Sequence, residues 1–343
     1  YYLGAEGGDT RAENRTVTAL YNQSAEKVSR LFDDVRDFDG IVSIHTINDS
    51  PNTELEIDEV LYEVFSVFSR YNSRYLYAAP IYSRYENLFY CADDSMLFDF
   101  DPILNGEIRA EYKNTASYAN DPAMIDLKLL GDNKIKLFVS DEYLSYAEKE
   151  GITNFIGLCW LKNAFEIDYI ADTMIRNGFT HGAISSADGF IRNFDTGSEY
   201  YALNVFDDTD DGIFLAASMN YRGERSIVSM RSFPVNDSER RRYYVMQNGE
   251  IRTVYLDIFD GLPKSSVNTL ISYSEEKSCG EVLLEIKDIY ISDSFDESKL
   301  SALADKDVFS VYCVNNTVMY NDDGLTFSGL YKDNNKEYTL NMF

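Results

Sequence analysis

Along the first part of the chain, apolar residues return at helical spacing. Val28, Leu31, Phe32, Val35 and Phe38 follow Ser24 as candidate N-cap and precede Gly40 as stop, which predicts a first helix with a charged outer face. Val60, Leu61, Val64, Phe65 and Phe68 predict a second helix from about Asp58. Between them, residues 43–48 alternate short polar and apolar positions up to Pro51 and read as a loop. The period then shortens. Residues 125–130 and 135–139 are β-rich runs around Gly131-Asp132-Asn133, a predicted hairpin. Ile167, Ile170, Ala171 and Met174 predict a third helix from about Phe165, ending at Asn177-Gly178. Five strand signals follow, at 201–206, 213–218, 227–230, 243–247 and 251–258. They read as neighbours in one antiparallel sheet, with Asn248-Gly249 as a type I′ turn. Val282, Leu283, Ile286 and Ile289 predict a fourth helix, and a last β region runs over 308–342 with Asp322-Asp323-Gly324 as a turn. The expected class is α+β, helices grouped against antiparallel sheet. The expected organisation is a single domain over 1–343, with a helix-and-loop part at 1–124 and a β-rich part with two further helices at 125–343.

Charge narrows the partners. With 58 acidic against 31 basic residues in 343, the net charge of −27 disfavours nucleic acid and anionic membrane surfaces, both of which would repel it. No apolar run reaches the roughly 18 residues of a membrane span. The chain starts at Tyr1 rather than Met, so an export signal or lipid anchor preceding it is compatible with the sequence.

Candidate chemistry is sparse. Cys91, Cys159, Cys279 and Cys313 are widely separated and read as buried free thiols, and His45 and His181 are the two imidazoles. The run 207–212 has the acidity of a calcium loop, but Thr209 fills its third position and Ser218 stands where a bidentate Glu belongs, so a hairpin turn is expected. Arg240-Arg241-Arg242 follows an acidic stretch and reads as a balanced loop, with phosphate gripping as the alternative. Tyr71, Tyr75, Tyr77, Tyr82, Tyr85 and Tyr90 suit sheet and loop packing or the lining of a pocket or partner groove. The sequence carries no nucleophile elbow, P-loop or Ser/His/Asp pattern.

Several strings resemble the ApbE family of FAD:protein FMN transferases. Ser43-Ile44-His45-Thr46-Ile47-Asn48 is similar to the family's S-x-I-x-x-[IL]-N, and Pro80 to its G-P-L turn. GLCWLKNAFEID, residues 157–168, has the shape of D-L-G-x-I-A-K-G-Y-A-x-D, and the helix after it ends in NGFTHGAI like the family's x-G-V-x-N-A-L-[IV]. SADGFIR, 186–192, falls where the family has N-L-G-G-[DN]-I-[RY]. VYLDIFDGLP, 254–263, resembles H-I-I-D-P-x-T-G-x-P, and GEVLLE, 280–285, resembles A-D-A-L-[AS]-T. The resemblance covers most of the chain.

It implies a T-fold-related arrangement of antiparallel sheets and packed helices, and a site where FAD is cleaved and FMN passes to an acceptor threonine with a divalent cation between the phosphates. Such chemistry needs charge neutralisation and close backbone approach at the pyrophosphate. The implied cofactor-binding positions are Asp168, Asp188, Gly189, Asp257 and Gly261, and the implied metal ligands are Glu281 and Glu285, although the residues by themselves read first as a solvated acidic helix face. Departures fall on the polar positions. Val254 replaces the motif histidine, Asp260 its threonine, Asp188 the first glycine of the pair, and Asn163 the lysine, with Lys162 beside it. Arg74-Tyr75-Leu76-Tyr77 replaces F-D-x-T. Two positions facing phosphate have thus become acidic. No catalytic residue is assigned. The leading expectation is an ApbE-like binding protein of the cell envelope, outside the cytoplasm, without transferase activity or bound FAD or Mg²⁺. The alternatives are an active Mg²⁺-dependent transferase using Glu281, Glu285 and Tyr255 or Lys162, and a binder of another anionic or nucleotide-like ligand through 240–242.

Overall fold

A computed structural model describes residues 1, 3, 9–197, 199–333 and 335–343. Among them the order opens α1 (Thr10–Leu31), α2 (Ile44–Asn48), β1 (Glu54–Glu56), α3 (Glu59–Arg70), α4 (Ala79–Tyr85) and α5 (Gly106–Ala119). It continues β2 (Ile125–Gly131), β3 (Lys134–Val139), α6 (Asp141–Glu150), α7 (Lys162–Arg176), β4 (Ala183–Ser185), β5 (Phe190–Asn193), β6 (Tyr201–Thr209) and β7 (Gly212–Tyr221). It closes with β8 (Arg225–Arg231), β9 (Tyr243–Val245), β10 (Ile251–Thr253), β11 (Thr269–Ser274), α8 (Cys279–Tyr290), α9 (Glu297–Ala302), β12 (Phe309–Val314), β13 (Thr317–Tyr320), β14 (Thr326–Ser328) and β15 (Thr339–Met342). The chain divides into two compact units. A helical unit holds Ala25–Lys162 and Tyr243–Pro263, and a sheet unit holds Tyr1–Ser24, Asn163–Arg242 and Lys264–Phe343.

In the helical unit, α3 starts where the pattern predicts, with Asp58 accepting from the Val60 N–H at 2.9 Å. The predicted hairpin is β2–β3, its turn made by Gly131, Asp132 and Asn133 at positive φ. Two predictions are corrected. The first helix ends at Leu31, before Val35 and Phe38, because the Asp33 carboxylate accepts from the Val35 and Arg36 N–H groups and turns the chain. That helix also starts at Thr10, so Ser24 is an interior residue and not its N-cap; the residues from Thr10 to Ser24, which belong to the sheet unit, carry too weak an apolar stripe to show the earlier start. The predicted loop at 43–48 contains α2, because Ser43 and Thr46 form a reciprocal capping box. The 243–263 excursion is bonded into this unit by Tyr85 Oη to the Thr253 carbonyl at 2.8 Å and Tyr75 Oη to the Leu256 carbonyl at 3.2 Å.

The sheet unit is built on a seven-stranded sheet in the order β15-β13-β12-β11-β8-β5-β4, antiparallel except for the parallel β13–β15 pair. Every residue of β11 is buried, as a central strand covered on both faces requires. Ile271 and Tyr273 join Val205, Ala217, Met219, Val311 and Val318 in the core. The five strands expected as neighbours are spread over three sheets. β6 and β7 pair in a separate sheet with β14, β8 enters the large sheet, and β9 pairs with β10 in the helical unit. Pairing partners make the split, and burial follows it: β6 and β7 each keep exposed residues in their first half, whereas β8 is buried through Ser226, Ile227 and Val228. The 248–249 turn is also not type I′, which needs positive φ at both central residues. The Gly249 N–H bonds to Met246 O, which makes Gln247 and Asn248 the central residues; neither takes positive φ, and Gly249 follows them at φ +88°.

Candidate functional site

In the sheet unit, α7 and the start of α8 are locked together by one carboxylate. Buried Asp168 accepts from the backbone N–H of Cys279 at 2.9 Å and of Gly280 at 2.8 Å, two of the donors that a helix N-terminus leaves without partners. Arg192 Nε lies 3.6 Å from the same carboxylate, while the guanidinium also reaches Asp172 at 3.0 Å and Ser226 Oγ at 2.7 Å. Burial pushes Asp168 up to about 6, opposed by Arg192 and the two N–H donors. Gly280 completes the lock: a Cβ there would sit 2.4 Å from the Phe165 ring, so only glycine lets α8 start against α7.

Asp188 and Gly189 occupy the β4–β5 turn. Asn163 Nδ2 donates to the Asp188 carboxylate, so the residues at the family's lysine and first-glycine positions bond to each other. Gly189 takes φ +94°, and a Cβ would lie 2.3 Å from the Ser229 carbonyl oxygen. Arg242 Nη1 donates to the neighbouring Ala187 carbonyl at 3.4 Å. On α8, Glu281 closes a capping box with Ser278, accepting from the Ser278 N–H at 3.1 Å, and Glu285 pairs with Lys306 at 3.2 Å. Among the described residues no third carboxylate, imidazole or thiolate joins these two glutamates at coordinating distance. The one group of three that converges among the described residues is Asp37, His45 and Asp49, with ligand atoms within 4.8 Å of one another.

In the helical unit, Asp257 and Gly261 belong to a single turn. The Asp257 carboxylate accepts from the Phe259 N–H at 2.8 Å, the Gly261 N–H bonds to the Asp257 carbonyl at 2.8 Å, and Asp260 accepts from the Leu262 N–H at 3.0 Å. Gly261 has φ +71° and faces Tyr112 Cβ, 2.6 Å from where its own Cβ would stand. Val254 is buried, and so is Tyr255, whose ring meets Trp160 edge-on at 5.1 Å. The cysteines are free. Cys279 and Cys313 are buried as expected, whereas Cys91 and Cys159 are only half-buried.

The sequence reading missed a cleft of about 180 Å³ in the helical unit, lined by Asp34, Ser83, Glu86, Cys159 and Lys162 over Phe32 and Leu158. Burial pushes Asp34 up, against the pull of Lys162. Glu86 is exposed to solvent, yet protein is dense around its carboxyl, and that crowding with the Asp34 charge pushes it up to about 7. Cys159 stands at a family glycine position and takes the left-handed φ of +51° that glycine adopts readily. No spacing rule links Asp34 to Glu86, which lie on different elements.

The fold has solved counterparts. The ApbE protein of Thermotoga maritima superposes with a TM-score of 0.61 and 13% identity, covering 92% of this chain and 88% of that one. The flavin transferase ApbE of Vibrio cholerae superposes at 0.58 with 12% identity, and a histidine-to-glycine variant of it at 0.55 with 13%. Both cover 92% of this chain and 88% of theirs. No family profile and no curated protein matches the sequence. The chain therefore has an ApbE-like α+β fold, with no helix among the described residues long and apolar enough to cross a membrane.

Proposed function

We propose that the chain is a single ApbE-like domain that serves as a binding protein of the cell envelope, outside the cytoplasm, and does not transfer FMN. The observation that carries this reading is what the motif residues are bonded to. Asp168 is taken up by the start of α8, Glu281 by its own helix cap, Glu285 by Lys306, and Asp188 by Asn163. Gly189, Gly261 and Gly280 stand where a Cβ would collide with protein atoms, so packing accounts for them without a ligand. These residues do not fit FAD and Mg²⁺: the metal needs converging oxygen donors, and the pyrophosphate needs positive or backbone N–H neighbours where this chain has Asp188 and Asp260. Buried Val254 cannot carry a proton in place of the motif histidine.

The test is incubation of the full chain with FAD, Mg²⁺ and a threonine-containing acceptor peptide, followed by mass spectrometry of the peptide. No covalent flavin is expected, and a peptide that gains FMN would overturn the reading. Titration of the same protein with FAD alone should leave its melting temperature unchanged, since a ligand of the folded state raises it.

A further inference from the structure

We propose that the cleft between Asp34, Ser83, Glu86 and Lys162 binds a small primary ammonium compound of about six to eight non-hydrogen atoms. The inference rests on the binding-protein reading above and names a ligand class for it.

Size sets the first bound. A dry cavity of about 150 Å³ accommodates benzene, so about 180 Å³ suits a ligand only slightly larger than a six-atom ring. Charge sets the second. Two carboxylates line the cleft against one lysine, and neither Asp34 nor Glu86 closes an ion pair among the described residues, so above about pH 7, where Glu86 has released its proton, the lining carries net negative charge that a cation would offset. The same carboxylates repel phosphate and carboxylate ligands, which fits the acidity of this chain as a whole. Phe32, Ala79 and Leu158 supply apolar surface for a short carbon chain, and Ser83 a hydroxyl for a polar end. The lining is also built around a carboxylate. At Gly157 a Cβ would stand 3.1 Å from both Asp34 Oδ2 and Ala79 Cβ, so a side chain there would press on the acid and move it by a few tenths of an ångström.

The experiment uses the full chain, with 1,4-diaminobutane as probe and 1,4-butanediol as its neutral isostere, at pH 8 and moderate salt. Calorimetry and thermal melting should show saturable binding of the diamine and none of the diol. Asp34→Asn and Glu86→Gln should each weaken binding by about tenfold, the effect of losing one charge-assisted contact. Glu86 reaches solvent, so Glu86→Gln should melt with the parent and keep the comparison valid if Asp34→Asn unfolds. Equal responses to diamine and diol, or undiminished diamine binding by the Glu86→Gln variant, would overturn the assignment as general attraction to an acidic protein. Silence toward the diamine, with no flavin transferred to peptide in a parallel incubation, overturns the ligand class alone. Flavin transfer overturns the binding-protein reading and this inference with it.

Discussion

Asp168 shows how one side chain can keep a motif position for a structural reason. Its carboxylate holds two N–H groups of α8 and faces Arg192. Asp168→Ala should therefore cost about 3 kcal/mol of unfolding free energy, because it strands two buried donors and part of a buried charge. The pH dependence has a definite sign. The folded protein keeps the Asp168 proton up to about 6, whereas the unfolded chain releases it near 3.8. The folded state thus binds more protons in that window, and the contribution of Asp168 to stability falls as pH rises through it, then stays level above about 6. Urea titrations should show the wild type losing on the order of 2 kcal/mol relative to Asp168→Asn between pH 4 and pH 6. A gap that stays constant across that range would remove Asp168 as the cause. Glycines divide on the same scale. Gly249 has open space at its Cβ position, so Gly249→Ala should cost only the left-handed backbone penalty of about 1 kcal/mol. Gly261→Ala adds a collision with Tyr112 and should cost roughly 1–3 kcal/mol more in the same titration.

At the scale of elements, the α7–α8 contact is the joint that Phe165, Asp168 and Gly280 make together. Gly280→Ala should destabilise by roughly 1–3 kcal/mol through overpacking on the Phe165 ring. Combining it with Phe165→Leu should recover part of that loss, and a double variant no better than the sum would argue against direct contact. Element signals were unevenly legible. The start of α3 near Asp58 was legible, since a cap needs only the residues beside it, whereas α8 was read from its apolar stripe and its Ser278–Glu281 capping box emerged with the structure. Helix α6 carries the same kind of signal, Ser140 as N-cap and Gly151 in the left-handed conformation, yet its weak apolar stripe of Tyr143 and Ala147 hid it from the hydrophobic pattern. Helix α2, at five residues, is too short to show a period at all.

At the scale of the whole molecule, the charge of −27 bears on partners more than on fold. Glu281→Gln with Glu285→Gln tests the metal reading. If the glutamates hold no cation, Mg²⁺ should shift the melting temperature of wild type and variant alike. A shift confined to the wild type would restore them as ligands.

Helix stripes, hairpin turns and the order of motif strings were readable from the chain, because each depends on neighbours a few residues apart. The ApbE-like fold was readable for the same reason, its glycines and turn residues having kept their spacing. Sheet membership was not, since β6, β8 and β9 present similar local patterns and only their distant partners assign them to different sheets. For the candidate site, the resemblance implied positions and was silent on their bonds. The sequence placed Asp168, Asp188, Glu281 and Glu285 in family motifs, but only the tertiary contacts showed Asp168 closing a helix end, Asp188 meeting Asn163 and Glu285 meeting Lys306. The cleft was hidden entirely, because Asp34, Glu86 and Lys162 come from three separate stretches that folding alone brings to one surface.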